Sequence, residues 1–130
     1  MVMGEQTLAT QVAVIGGGPG GYAAAFRAAD LGLDVTLIDP EPQLGGVCLL
    51  RGCIPSKALL QVTKVLQETQ AADAWGLTFD PPKVDLHKMR TWKDEVVAIL
   101  AKGLSQLSQQ RQVQVIQAMA TFEASDQVRL

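Results

Sequence analysis

The chain has 130 residues, 48% of them apolar and 18% charged, with a formal net charge of −2. This is the composition of a soluble globular chain of about one domain; 11 Lys+Arg against 13 Asp+Glu leave no basic excess for nucleic acid, and no apolar run approaches the roughly 20 residues of a membrane span. Residues 1–11 have neither the basic and apolar regions of a signal peptide nor the Arg-rich, acid-poor character of a transit peptide, so the expected compartment is the cytoplasm.

Thr10–Ile15 is short, β-branched and nearly apolar, and reads as a buried strand of a parallel sheet. It runs straight into Gly16-Gly17-Gly18-Pro19-Gly20-Gly21. Tyr22–Leu31 is rich in Ala without an interior breaker; it reads as a helix, closed by Gly32 in a left-handed cap. Leu33–Asp39 is a second strand. Strand, glycine turn, helix and strand make a βαβ unit with a right-handed crossover, so the expected fold class is α/β, Rossmann-like, around a parallel sheet. Pro40–Gly46 reads as a loop, and Cys48–Leu66 as helical overall, with Pro55 tolerated near the start of its regular part. Trp75–Asp85, containing Pro81-Pro82, reads as a loop. Leu86, Met89, Trp92, Val96, Leu100, Leu104 and Leu107 then recur at helical spacing, predicting a long helix that ends near Gln110. Val113, Val115, Phe122 and Val128 suggest short strands around an Asp126 turn, the start of a β-meander.

The glycine turn carries the first chemical signal. Gly16-x-Gly18-x-x-Gly21 follows a predicted strand and opens a predicted helix. Gly16 permits a tight turn, Gly18 lets backbone approach a pyrophosphate, and Gly21 lets helix and strand pack closely. The free N–H groups and the dipole at the helix start favour such an anion. Asp39 ends the second strand, where a carboxylate takes hydrogen bonds from adenosine ribose hydroxyls and disfavours a 2′-phosphate. Together these point to a dinucleotide, and the turn alone does not separate FAD from NAD. The bland alternative is a packing cluster of glycines in an unrelated α/β turn. Tyr22 and Phe26 read as helix packing.

Cys48 and Cys53 are the only cysteines, spaced C-x4-C. On a regular helix five residues rise about 7.5 Å and turn about 140° further round, whereas a disulfide holds its Cα atoms roughly 4.4–6.8 Å apart. A bridge therefore needs a distorted first turn, which Gly52 would allow. A helix N-terminus also favours a thiolate. The pair reads as a redox-active dithiol, against two inert thiols or half of a zinc site; no metal is expected, because zinc wants four ligands and only His87 is added. His87 lies in a polar-flanked loop or early helix turn and reads as structural or solvated.

Val14-Ile-Gly-Gly-Gly-Pro-Gly-Gly-Tyr22 and Leu44-Gly-Gly-Val-Cys-Leu-Leu-Arg-Gly-Cys-Ile-Pro-Ser-Lys-Ala-Leu-Leu60 resemble the FAD-dependent pyridine nucleotide-disulfide oxidoreductases. The run Ile54–Leu60 is most similar to the members that oxidise dihydrolipoamide, rather than glutathione- or mercuric-reductase-like ones. The resemblance implies that the turn holds FAD through Gly16, Gly18, Pro19 and Gly21, with Asp39 and Pro40 at the adenosine. Gly46, Val47, Cys48, Cys53, Lys57 and Ala120 complete the implied cofactor contacts. It implies further that Cys48 is the interchange thiol, that Cys53 is the charge-transfer thiol beside the flavin, and that Lys57 tunes the flavin's electron affinity. Leu50 and Arg51 stand where the family usually has Asn and a small apolar residue.

Members of that family are several times longer. They add a second glycine motif for NAD, the rest of the FAD segment and a dimerisation domain. Residues 1–130 are therefore expected to be the N-terminal segment of the FAD-binding domain, inactive alone. The whole enzyme is expected to be a homodimer, acting on dihydrolipoamide carried by a lipoyl domain of a 2-oxo-acid dehydrogenase complex. A stand-alone FAD or thiol module is the competing expectation.

Overall fold

A computed structural model describes residues 7–130, which form two compact units: one runs through Gly46 and resumes over Leu104–Leu130, the other is Val47–Gly103. In the first unit, the β-branched run forms strand β1 (Val12–Ile15), followed by helix α1 (Pro19–Asp30) and strand β2 (Val35–Asp39). β1 and β2 are parallel, with Val12 opposite Val35 and Ile15 opposite Ile38. The βαβ unit is as the pattern predicts, but α1 begins three residues earlier than the Ala-rich run. Pro19 occupies its first turn, where a missing N–H costs nothing. At its other end Gly32 adopts φ +83, the left-handed cap.

Strand β3 (Gln114–Gln117) lies parallel to the other side of β2, giving the order β1-β2-β3. The short strand suggested by Val113 and Val115 is thus β3, a member of the parallel sheet. The hairpin that does form is β4 (Thr121–Ala124) with β5 (Gln127–Arg129), around the Asp126 turn and with an irregular register between Phe122 and Ala124. β2 is the central strand and is buried throughout, whereas β1 is an edge. Val12 and Val14 pack on the core, and Ala13 and Ile15 face outward, so β1 is half-buried rather than buried on both faces. The core joins Ala25 and Phe26 of α1 to Val35 and Leu37 of β2, with Leu44 and Val113. Arg111 stacks over the Phe26 ring, 5.3 Å from its centroid, and its Nε donates to Asp30 Oδ1 at 3.0 Å.

The second unit holds helix α2 (Gly46–Arg51, beginning at the boundary residue), helix α3 (Cys53–Ala71), a 3-10 turn (Ala72–Trp75) and the start of helix α4 (Leu86–Gln110). The single helix predicted over Cys48–Leu66 is thus two helices, interrupted at Gly52. Helix α4 has the predicted length, and the division between units falls within it. Its N-cap is Asp85, whose Oδ1 accepts the Lys88 N–H at 3.0 Å. Among the described residues no helix is long and apolar enough to cross a membrane.

Leu37, with 0% exposure at the centre of β2, is the residue on which the sheet packs. Leu37→Ala is expected to lower the unfolding free energy by about 2–5 kcal/mol through the cavity it leaves. Ile15→Ala, at a 46% exposed edge position, is expected to cost less than about 1 kcal/mol. Urea unfolding of the two variants measures both, and equal losses would contradict the assignment of β2 as the core strand.

Candidate functional site

The glycine turn joins β1 to α1. Gly16 has φ +102, and its N–H donates to the Ile38 carbonyl at 2.8 Å, so the chain leaves the sheet sharply. A Cβ on Gly21 would collide with the Gly16 carbonyl oxygen, which is why helix and strand pack this closely. Gly18 is the N-cap of α1; no side chain caps the helix and no acidic residue sits in its first turn. The Tyr22 N–H bonds back to Gly18 O at 3.0 Å. The N–H groups of Gly20 and Gly21 precede it and have no acceptor within the helix. A Cβ on Gly20 would meet nothing within 4 Å, and one on Gly18 only Gly46 Cα at 3.9 Å. Neither residue has positive φ. Packing among the described residues does not demand glycine at these two positions, and both leave open backbone at the start of the helix.

Asp39 ties this turn to its surroundings. Its Oδ2 accepts the Gly17 N–H, and its Oδ1 accepts the Glu41 N–H at 2.7 Å. Its main-chain oxygen accepts the Ala118 N–H at 3.1 Å, and the neighbouring Pro40 carbonyl accepts Gln117 Nε2 at 3.2 Å. The Gly45 N–H donates to Gly17 O at 2.8 Å. Gly46 has φ +59, and a Cβ there would stand 2.7 Å from Gly18 Cα. The turn, the loop after Asp39 and the end of β3 thus share the carboxyl edge of the sheet, where open α/β folds take ligands. Ala120, half-buried, follows β3 on the way into β4.

Gly17 is the site residue that the motif passes over. A Cβ on it would lie 2.8 Å from Leu44 Cδ2 and 3.1 Å from Asp39 Oδ2. The signal is the middle glycine of Gly16-Gly17-Gly18, which the G-x-G-x-x-G pattern does not require.

In the second unit, α2 places Cys48 in its first turn and α3 begins at Cys53. A Cβ on Gly52 would stand 3.0 Å from Val47 O and 3.5 Å from Cys48 Cα, so the residue that breaks the helix is also the one that lets the two cysteines approach. Both are free thiols, Cys48 half-buried and Cys53 exposed. The Cys48 thiol is held above the ordinary thiol range, chiefly by its hydrogen bond to the Cys53 side chain, then by burial; the Lys57 ammonium pulls the other way. The partner sulfur thus outweighs the pull toward thiolate at Cys48. Lys57 lies one turn beyond Cys53, and Ser56 Oγ donates to the Cys53 carbonyl at 3.0 Å. Val47 is 64% exposed. His87 is the second residue of α4. No cluster of three or more His, Cys, Asp or Glu that could hold a metal occurs among the described residues.

A profile of the family described as pyridine nucleotide-disulphide oxidoreductase matches residues 10–129. Among similar curated proteins, the dihydrolipoyl dehydrogenase of Vibrio cholerae is 46% identical over 97% of this chain and 26% of its own length. That of Haemophilus influenzae is 48% identical over 93% of this chain and 25% of its own length. In Haloarcula marismortui, dihydrolipoyl dehydrogenase 3 is 47% identical over 100% of this chain and 27% of its own length. The chain thus spans about a quarter of the relatives it matches.

Removing the Cys53 sulfur takes away the first cause of the raised Cys48 value. In Cys53→Ala, Cys48 is expected to carry more thiolate at a given pH and to react with iodoacetamide about three- to tenfold faster near pH 8. Unchanged or slower alkylation would show that the hydrogen bond does not hold the proton on Cys48.

Proposed function

This chain belongs to the pyridine nucleotide-disulphide oxidoreductase family, and on that premise we propose that it is the flavin- and dithiol-bearing part of a dihydrolipoyl dehydrogenase. The observation that carries this reading is the dithiol itself: two free thiols brought together across a helix break at Gly52, where the backbone closes on Cys48 Cα. A structural pair would have no need of the exposed Cys53 or of a proton shared between the sulfurs.

FAD fits the residues present. Gly18 and Gly20 offer unobstructed backbone at an uncapped helix start. With Gly16, Pro19 and Gly21 they would receive the pyrophosphate, and Asp39 with Pro40 the adenosine ribose. Gly46, Val47, Cys48, Cys53, Lys57 and Ala120 are the remaining proposed contacts. When bound, FAD supplies two-electron chemistry between a dithiol and a pyridine nucleotide. NAD would be bound by residues of the whole protein other than these.

The chain's own step is thiol–disulfide exchange. A thiolate of dihydrolipoamide attacks Cys48 Sγ of the oxidised pair, and Cys53 leaves as thiolate. The second thiol of the substrate then attacks the mixed disulfide and releases Cys48. Lipoamide departs as a disulfide, and the two electrons stay on the cysteines. Cys53 holds the Cys48 thiol above the ordinary thiol range, which lowers the thiolate fraction of the returning thiol and slows, without preventing, the reverse attack on the product. Gly52 keeps the pair close enough to close. The proposed partner is a lipoyl domain of a 2-oxo-acid dehydrogenase complex, the proposed compartment the cytoplasm, and the proposed whole enzyme a homodimer.

The reduced chain is tested with oxidised lipoamide. It is expected to lose both titratable thiols in forming a Cys48–Cys53 bridge. Cys53→Ser is expected to stop at a mixed disulfide on Cys48, and Cys48→Ser to capture little. Equal capture by both variants, or none by Cys53→Ser, would refute the assignment of Cys48 as the interchange thiol.

A further inference from the structure

We propose that Asp39 is a positioning residue as well as a ligand-facing one: its carboxylate locks the glycine turn to the loop after β2 before any dinucleotide is bound. The proposal rests on the reading that this edge takes a dinucleotide, and it adds a role that needs no ligand.

The geometry is specific. Asp39 is only 8% exposed, and both carboxylate oxygens are engaged by backbone, Oδ2 by Gly17 N–H and Oδ1 by Glu41 N–H. Charge-assisted bonds of this kind are about twice as strong as neutral ones. Their two donors lie on opposite sides of Asp39 in the sequence. One is in the turn that opens α1, the other in the loop that leads to Gly46. A side chain at position 17 would press on Asp39 Oδ2 and on Leu44, itself buried. The bare Gly17 is therefore matched to the carboxylate, and the Gly45 N–H closes the same pair of segments through Gly17 O. The Ala118 N–H on the Asp39 carbonyl adds the end of β3. Three walls of one cradle are joined at a single residue. Each carboxylate oxygen keeps a further lone pair, so holding the cradle and accepting ribose hydroxyls are compatible. A cradle ordered in advance spares a ligand the entropy of ordering it.

Asn at this position retains one oxygen acceptor and replaces the other with an amide nitrogen. Either Gly17 or Glu41 must then lose its acceptor. In the cofactor-free chain, Asp39→Asn is expected to speed amide hydrogen exchange at one of these two residues by about tenfold or more, while Leu37 in β2 stays protected. If Asp39 serves only the ribose, both amides keep their protection, and the proposal is overturned. Should the variant lose Leu37 protection as well, the unsubstituted chain decides. Its Gly17 and Glu41 amides are expected to exchange at least about tenfold slower than exposed loop amides, and exchange as fast as those overturns the proposal. FAD binding is measured separately. Its absence in the unsubstituted chain would count against the proposed function and leave the exchange result standing.

Discussion

The two hydrogen bonds accepted by the Asp39 carboxylate fix the relation between the turn that opens α1 and the loop that leaves β2. Around them the rest of the edge falls into place. A side chain at Gly17 would press on the carboxylate and on Leu44, Gly46 must lack one because the Gly18 backbone lies against it, and β3 ends on the Asp39 carbonyl through Ala118. The buried central strand β2 is what brings Asp39 to this point, since its neighbours on both sides terminate at the same edge. Burial of the strand, rather than the turn itself, positions the acid.

The second unit follows a different logic. Its chemistry depends on interrupting a helix rather than capping one. A continuous helix would carry Cys48 and Cys53 to different faces, about 140° apart. Gly52 breaks it with a backbone approach that leaves little room for a Cβ, and the two cysteines come close enough for one to perturb the other's thiol. The proton then stays on Cys48, although it sits in the first turn of α2 and feels Lys57. The neighbouring sulfur and burial outweigh the pull of Lys57.

How much of this was legible depended on distance along the chain. Helix α4 could be read almost to the residue because its signal is a local period carried by seven residues, from Leu86 to Leu107. The turn at Gly16–Gly21 was legible because its requirements lie within six residues. The start of α1 was misplaced because Pro19, Gly20 and Gly21 look like turn residues, yet Pro suits a first helical position and the glycines answer to a need outside the helix. The parallel pairing of β3 with β2 was not legible: Thr36 meets Gln114, and nothing local in Gln114–Gln117 specifies that partner. Gly17 was missed for the same reason, since its partner is Asp39, 22 residues on. The bend at Gly52 was anticipated only as a possibility of the cysteine spacing; the structure turns it into two helices.

The central claim is that the carboxyl edge of the sheet is a cradle for the adenosine diphosphate half of FAD. Calorimetric titration of the chain with FAD, and in parallel with FMN, which keeps the flavin and one phosphate but lacks the adenylate, tests it most directly. The account expects FAD to bind with one-to-one stoichiometry and FMN not to compete for the site. Binding of FMN as tight as that of FAD, or a folded chain that takes up neither, would contradict it.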